Sequence, residues 1–82
     1  MNYTYVIERS AAQTVFGLSS RERRFVQAVI EDLVAAPFRS ADLDEAGDDG
    51  RHLLTRFFGP FSVTYWLDHA TKEVRIVAIY RD

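Results

Sequence analysis

Four basic residues in the second half of the chain could handle a phosphate group: His52, Arg56, Arg75 and Arg81. Histidine exchanges a proton near neutral pH, and guanidinium groups donate charge-assisted hydrogen bonds to phosphate oxygens. Because side chains alternate along a strand, His52 and Arg56 should share one face, and so should Arg75 and Arg81. We predict catalytic groups on the open side of a sheet, with solvated surface charges as the alternative.

A second group of residues is typical of a binding surface. Arg21, Arg23 and Arg24 lie at the start of a predicted helix, where cations oppose the helix dipole and stability does not favour them. Trp66 and Tyr80 are large aromatic residues in predicted strands, and apolar groups left exposed mark interfaces. We expect these five residues to contact a partner or target. The alternatives are a solvated face for the arginines and a core position for Trp66.

The residues do not predict a metal site. The two histidines, His52 and His69, are far apart in the sequence without supporting ligands, and cysteine is absent. Residues 42–48 partly resemble a calcium loop, but Leu53 occupies the position that needs a bidentate glutamate. We therefore expect no metal and no other cofactor, and we interpret His69 as an exposed turn residue.

Length and composition predict a single domain over residues 1–82. The chain is 48% hydrophobic, which suits a globular core and argues against disorder. The absence of cysteine is consistent with a reducing cytosol, so we expect a cytoplasmic protein. No basic segment followed by an apolar run begins the chain, and no apolar stretch approaches the ~18 residues of a membrane span. We expect no signal peptide and no membrane partner.

The net charge of −2 is unevenly distributed. Five of the 12 acids lie within residues 42–49, so ten basic residues stand against seven acids elsewhere. The body of the fold is therefore mildly basic, and we predict that the acidic segment is a solvated loop.

Hydrophobic periodicity predicts the elements of the first half. Residues 2–8 alternate as a strand, and a short helix follows Ser10, which could cap it. A second helix runs over about residues 21–36, capped by Ser19 or Ser20 and stopped by Pro37. Residues 38–50 show no periodicity and are predicted to be a loop.

Three strands are predicted in the second half, over about residues 51–58, 61–67 and 73–80. The short turns between them imply antiparallel hairpins. The last strand is apolar on nearly both faces, which predicts an internal position with the first strand beside it. The predicted fold is α+β in the order β-α-α-β-β-β, a small antiparallel-rich sheet with a two-helix hairpin packed on one face.

This order, the chain length and the C-terminal sequence resemble the RelE/ParE toxin superfamily of type II toxin–antitoxin systems. Phe61, Val63 and Tyr65 match an aromatic skeleton of the family, and Asp68 matches its turn acid. The final apolar strand and the terminal arginine match Val74, Ile76, Val77, Ile79 and Arg81.

The resemblance implies a toxin that inhibits growth, either through translation by mRNA cleavage or through DNA gyrase, and that a cognate antitoxin neutralises. Such modules include plasmid-stabilisation systems, and a homodimer is compatible with the family. As an enzyme it would be a metal-independent, ribosome-dependent endoribonuclease. Ser62 replaces the arginine of the ribonuclease branch, and no tyrosine-bearing segment follows Asp82. The alternative is a catalytically decayed member that acts as a protein-interaction module.

Overall fold

The structure is a computed structural model that describes residues 2–82, and its fold class is α+β, as predicted. The elements are β1 (Thr4–Ile7), α1 (Arg9–Phe16), α2 (Ser20–Ala35), β2 (Leu43–Ala46), β3 (His52–Phe58), β4 (Phe61–Asp68) and β5 (Glu73–Arg81). The chain therefore contains the predicted elements and one additional strand, β2.

The second helix begins at a capping box. The Ser19 hydroxyl accepts a hydrogen bond from the Glu22 amide (3.2 Å), and the Glu22 carboxylate accepts one from the Ser19 amide (3.1 Å). These contacts satisfy two amides that a helix start leaves free. The predicted apolar stripe is buried over Val26, Val29, Ile30 and Leu33. Both the cap and the covered face of α2 follow from local sequence.

The predicted start of the first helix is wrong. Helix α1 begins at Arg9, and the residue at its N-cap, Glu8, makes no side-chain capping bond. Ser10 lies inside the first turn, where its hydroxyl donates a hydrogen bond to the Val77 carbonyl (3.2 Å). The serine therefore ties α1 to β5 instead of capping it.

The sheet has the strand order β1-β5-β4-β3-β2. Strand β1 pairs with β5 in parallel, and the other neighbours are antiparallel. The internal position of β5, beside β1, confirms the prediction. Because a parallel pair needs a crossover connection, the helical hairpin after β1 packs on one face. We call that side the covered face and the other side the open face.

The acidic segment is a strand, so the predicted loop is wrong over Leu43–Ala46. These four residues pair with β3, and the amide of Gly47 donates to the Arg51 carbonyl at 2.6 Å to close the hairpin. Gly50 adopts a positive φ of 82° in the connection, which a side-chain-bearing residue would resist. All four strand residues are exposed, so the sequence has no alternation of apolar and polar residues there that would predict a strand.

Strand β5 contains a β-bulge. Residues 64–65 of β4 lie opposite Ala78 and Ile76, which leaves Val77 as an extra residue. The extra residue reverses the alternation beyond it. Ile76 and Ile79, three positions apart, therefore both point to the covered face, where they are 0% and 1% exposed.

The core lies between the covered face and the helices. It consists of Tyr3, Ala11, Val26, Val29, Ile30, Leu33, Phe61, Val63, Tyr65, Val74, Ile76 and Ile79. Within residues 2–82 no polar or charged residue is fully buried. Neither helix in this part of the chain has the length and apolar character needed to span a membrane.

Candidate functional site

Arg56 lies on the covered face, not on the open side where it was predicted. It stands opposite the buried Val63, and its guanidinium lies 4.0 Å from the Asp32 carboxylate of α2. It also lies 5.0 Å from the ring centroid of Phe58. Burial raises the pKa of the adjacent Tyr65 hydroxyl, and the positive charge of Arg56 opposes that shift. Arg56 therefore sits between the sheet and the helix, with its side chain only 16% exposed.

Arg81 also belongs to the covered face, because it follows the bulge. It lies opposite the buried Phe61 and makes a 2.9 Å ion pair with Glu22 of α2. The backbone hydrogen bond from Ser19 holds the pKa of the Glu22 carboxyl below its usual value, with a smaller contribution from the Arg81 charge. The terminal arginine thus continues the capping network of α2.

Arg75 lies on the open face, so the prediction that it shares a face with Arg81 is wrong. It stands opposite Trp66 on β4, before the bulge reverses the alternation. Its guanidinium donates to the Glu73 carboxylate at 2.9 Å and lies 5.7 Å from the Trp66 ring centroid. The strand pattern alone could not separate the two arginines, because it did not reveal the bulge.

His52 shares a face of β3 with Leu54 and Arg56, as predicted, but this is the face of the buried Val63 and Tyr65, so the predicted position on the open side is wrong. The residue is positioned by the strand that the sequence did not predict. Its Nδ1 lies 2.6 Å from Oδ1 of Asp44 on β2, and the histidine side chain is 63% exposed. The pairing of β2 with β3 brings this carboxylate beside the ring. The structure therefore orients His52 through Nδ1.

The four predicted catalytic residues do not converge on one site. Each lies within 4.0 Å of a carboxylate group, and the arginines divide between the two faces of the sheet. The positive charges of the three arginines are therefore partly neutralised before any ligand binds. The catalytic role of these residues stays a prediction.

His69, interpreted from sequence as an isolated turn residue, makes two specific contacts. Its Nδ1 lies 2.7 Å from the hydroxyl of Tyr3, and its ring stacks on Phe38 with centroids 5.8 Å apart. The turn that carries His69 is shaped by Asp68, whose carboxylate accepts hydrogen bonds from the amides of Ala70 and Thr71. His69 is thus held at the end of β4.

Both histidines line one cleft at this end of the sheet. Its volume is about 540 Å³, and its lining includes Asp44, Arg51, His52, Leu54, Trp66, Leu67 and His69. We call this the histidine cleft. Leu54 lies opposite Tyr65 in the antiparallel β3–β4 hairpin. The residues before Leu54 therefore lie beside those after Tyr65, so the start of β3 is next to the end of β4. This pairing could have been found from the sequence by counting residues outward on both strands from the predicted turn at Gly59 and Pro60.

Arg51 and Trp66 contribute to the lining of the histidine cleft and meet each other on the open face. The Arg51 guanidinium lies 4.2 Å from the Trp66 ring centroid, which is cation–π geometry. Arg51 also pairs with Asp49 at 3.2 Å through its Nε. Trp66 lies on the open face, so the core alternative for this residue is wrong: it is half-buried beneath two arginines.

Two aromatic residues are exposed at the other end of the open face. Phe57 and Tyr80 flank Ser62 on adjacent strands, and they are 57% and 65% exposed. Beside them, the hydroxyls of Thr55 and Thr64 are 3.0 Å apart. We call Phe57, Ser62 and Tyr80 the aromatic row. It presents apolar rings with a small hydroxyl group between them.

The arginines at the start of α2 are exposed, as expected for a binding surface or a solvated one. Arg21, Arg23 and Arg24 form no ion pair within 4.0 Å among residues 2–82. They flank Glu22, which belongs to the capping box. The three guanidinium groups are therefore available to an acidic partner.

A separate groove runs between the β1 edge and the C-terminal end of α2. It has a volume of about 830 Å³, and Tyr3, Tyr5, Val34, Pro37 and Phe38 contribute apolar lining. Across the described residues 2–82, no group of three or more His, Asp or Glu side chains could hold a metal ion. The groove is therefore suited to apolar side chains of a partner.

Solved structures share this fold along its whole length, although no protein-family profile and no curated protein matches the sequence significantly. The chain is similar to one in the RelBE2 toxin–antitoxin complex from Mycobacterium tuberculosis (18% identity, TM-score 0.83, 100% of both chains covered). It is also similar to one in the RelE–RelB complex from Pyrococcus horikoshii (17%, 0.78, 99% of this chain and 96% of that one). The intact Escherichia coli RelBE complex gives 12% identity, a TM-score of 0.75, and 98% and 96% coverage. The predicted resemblance is confirmed at the level of the fold.

Proposed function

We propose that this chain, which has the fold of RelE toxins, is the toxin of a toxin–antitoxin pair that acts in the bacterial cytoplasm. The observation that carries the proposal is the match in fold over 100% of both chains to a component of a toxin–antitoxin complex. A full-length match means that no large insertion or missing element separates the two architectures. The antitoxin would be a small protein encoded beside the toxin.

Exposed side chains support a protein partner. An 82-residue chain that leaves Phe57 and Tyr80 more than half exposed on one sheet face has apolar surface available for binding. The exposed arginines at positions 21, 23 and 24 add positive charge with no acid partner in residues 2–82. We infer that the antitoxin segment is acidic with interspersed apolar residues, because that composition complements both features.

The proposed target is translation, through cleavage of mRNA, because two similar solved structures are of the E. coli RelE toxin alone and the superfamily resemblance implies that activity. DNA gyrase is the other target that the superfamily resemblance implies. The ion pairs of Arg56, Arg75 and Arg81 favour a second candidate, an interaction module without catalysis, because a neutralised guanidinium stabilises a phosphate less well.

The test is induction of the protein in a bacterial host, followed by pulses of labelled methionine and labelled thymidine. We expect methionine incorporation to fall first, and co-expression of the small protein encoded beside the toxin to restore it. If thymidine incorporation falls first, gyrase is the target. If soluble protein accumulates and neither label changes, the toxin proposal is wrong and the interaction module is the better account.

A further inference from the structure

We propose that two copies of this chain pair along the free edge of β1 as an antiparallel dimer, with the two-fold axis beside Tyr5. Strand β1 forms one edge of the sheet, and β2 forms the other. The surface along the β1 edge consists of strand residues and one stripe of α2, and its charges are complementary to themselves under a two-fold rotation. The interface does not depend on the toxin proposal.

The two edges of the sheet differ in how they discourage pairing with another strand. Strand β2 has Asp44 and Glu45 among its four residues, and charged residues on an edge oppose the approach of a second chain. Strand β1 has the sequence Thr-Tyr-Val-Ile, which contains no charge. The β1 edge therefore offers its outward backbone groups to a strand from another molecule.

Alternate backbone groups of β1 face outward. The amides of Thr4 and Glu8 donate to carbonyls of the β4–β5 connection and of β5, at 3.0 and 2.9 Å. The residues between these inward positions direct their amides and carbonyls away from β5. Tyr5 is thus the central outward residue, with Tyr3 and Ile7 on either side. Pairing Tyr5 with the partner's Tyr5 brings Tyr3 opposite the partner's Ile7 at both ends of the edge.

An exposed stripe of α2 runs beside this edge and carries opposite charges at its two ends. Arg23, Gln27 and Glu31 follow one another at four-residue intervals, so they share one side of the helix, and all three are exposed. Arg23 lines a pocket of about 90 Å³ together with Ile7, whereas Glu31 lines the groove of about 830 Å³ together with Tyr3. The positive end of the stripe therefore lies near the end of β1, and the negative end lies near its start.

Both charges are available to a partner. Arg23 and Glu31 make no ion pair within 4.0 Å among residues 2–82. The Glu31 carboxylate accepts a hydrogen bond from the Gln27 amide at 3.5 Å, which leaves its charge without compensation. Opposite charges on a second molecule would complement them and fix the register of the pair.

A two-fold axis beside Tyr5 and Gln27 matches the charges in pairs. Tyr5 lines both the small pocket and the large groove, and Gln27 is midway between Arg23 and Glu31. The rotation brings Arg23 of each copy to Glu31 of the other. The lengths agree, because the helix rises about 12 Å from Arg23 to Glu31 and the outward part of the β1 edge spans about 13 Å.

The order of the charges favours a second copy over an antitoxin strand at this edge. The acidic segment inferred for the antitoxin would meet Glu31, a like charge, at one end. A second copy meets each charge with its opposite, as an isologous interface requires. Neither the small pocket nor the groove includes Arg21 or Arg24, so both stay available to the antitoxin.

Sedimentation velocity of the untagged full-length chain over a concentration series tests the dimer. We expect a reversible equilibrium between the monomer and a species of twice its 9.4 kDa mass. Arg23→Glu and Glu31→Arg should each weaken association about tenfold or more, because each places like charges at both contacts. Arg24→Glu is the matched control, with the same charge change outside the edge. Equal weakening by Arg24→Glu would overturn the assigned contacts.

Mixing the two weakened variants is the most specific test. The Arg23→Glu chain has two acids on the stripe, and the Glu31→Arg chain has two bases. A mixed dimer therefore restores opposite charges at both contacts, and we expect it to form with about the parental affinity although neither variant dimerises well alone. A mixture that associates no better than its components would show that these residues do not meet across a two-fold axis.

Amide hydrogen exchange tests the register. The outward amides of Tyr5 and Ile7 should exchange fast in the dilute chain and become protected at concentrations where the dimer forms. The amides of Val6 and Glu8 face β5 and should be protected at both concentrations. Tyr5→Lys places like charges at the axis and should keep the chain monomeric with an unchanged circular dichroism spectrum.

The remaining outcomes separate the dimer from the toxin proposal. A chain that stays monomeric at its highest soluble concentration overturns the dimer and leaves the toxin proposal standing. A dimer in which the Tyr5 and Ile7 amides stay unprotected uses another surface, and the β1 assignment is then wrong. If purified antitoxin protects these amides in a monomeric chain, the edge belongs to the antitoxin.

Discussion

The two faces of the sheet are built on different principles. On the covered face, Val63, Tyr65 and Ile76 are at most 1% exposed and pack against α2. On the open face, Phe57 and Tyr80 are more than half exposed, and the charged residues make ion pairs with close neighbours. The covered face therefore supplies the hydrophobic stabilisation. The open face leaves apolar side chains exposed, where they are available to a binding partner.

The ends of the sheet also differ. The end near the β3–β4 turn carries the aromatic row, and the end near the β4–β5 turn carries the histidine cleft. The first is apolar and suits a protein partner, whereas the second is polar and contains titratable rings.

The largest change in the free energy of unfolding should come from a cavity in the core beneath the covered face. Leu33→Ala should reduce the free energy of unfolding by about 2–5 kcal/mol, because a residue 1% exposed leaves a cavity. The matched control is Leu53→Ala on the open face, where the side chain is 37% exposed and the loss should be about 0.5 kcal/mol. Urea unfolding followed by circular dichroism checks both. Equal losses would mean that the faces do not divide stability as described.

The second effect should appear in binding and not in stability. Tyr80→Ala should weaken antitoxin binding by about 2 kcal/mol, roughly 30-fold, as expected for an exposed aromatic anchor. The free energy of unfolding should change by less than about 0.5 kcal/mol. Isothermal titration calorimetry measures the affinity. Phe16→Ala, which removes an aromatic ring 76% exposed at the end of α1, is the control and should bind normally.

A smaller effect should follow from loosening the helix that covers the core. Ser19→Ala removes the capping hydroxyl of α2 and should cost about 1 kcal/mol of stability. Ser20→Ala, one position later and within the helix, should cost less, because Ser19 and not Ser20 makes the capping contact. Thermal unfolding of the two variants compares them. A larger loss for Ser20→Ala would contradict the assigned cap.

The smallest effect concerns pH. The backbone hydrogen bond from Thr71 lowers the pKa of the Asp68 carboxyl in the folded protein. The unfolded chain then binds the proton more readily, so the contribution is present above the unfolded pKa, near 4, and is lost as pH falls through the folded pKa. Asp68→Asn should flatten the decline in unfolding free energy between about pH 5 and pH 3.

Local sequence predicted the elements whose patterns are strong. The stripe of α2 and the hairpins around Gly59 and Asp68 all appear in the structure, and of the two predicted caps, Ser19 and Ser20, Ser19 is the one used. The internal position of β5 was predictable because an apolar strand needs partners on both sides. The candidate site was harder to predict: His52 was singled out, but its contact with Asp44 and the contacts of His69 with Tyr3 and Phe38 were not.

The sequence by itself determined which segments are helical, which face of α2 is buried and where the turns at Gly59 and Asp68 lie, because these depend on contacts within a few positions and on periodicity. Only the tertiary structure decided that Leu43–Ala46 is a strand, since its backbone bonds need the edge of β3. It also decided the bulge at Val77, which separates Arg75 from Arg81, and the presence of both histidines in the lining of one cleft. Such features depend on pairing between distant segments, which the periodicity within one segment does not reveal.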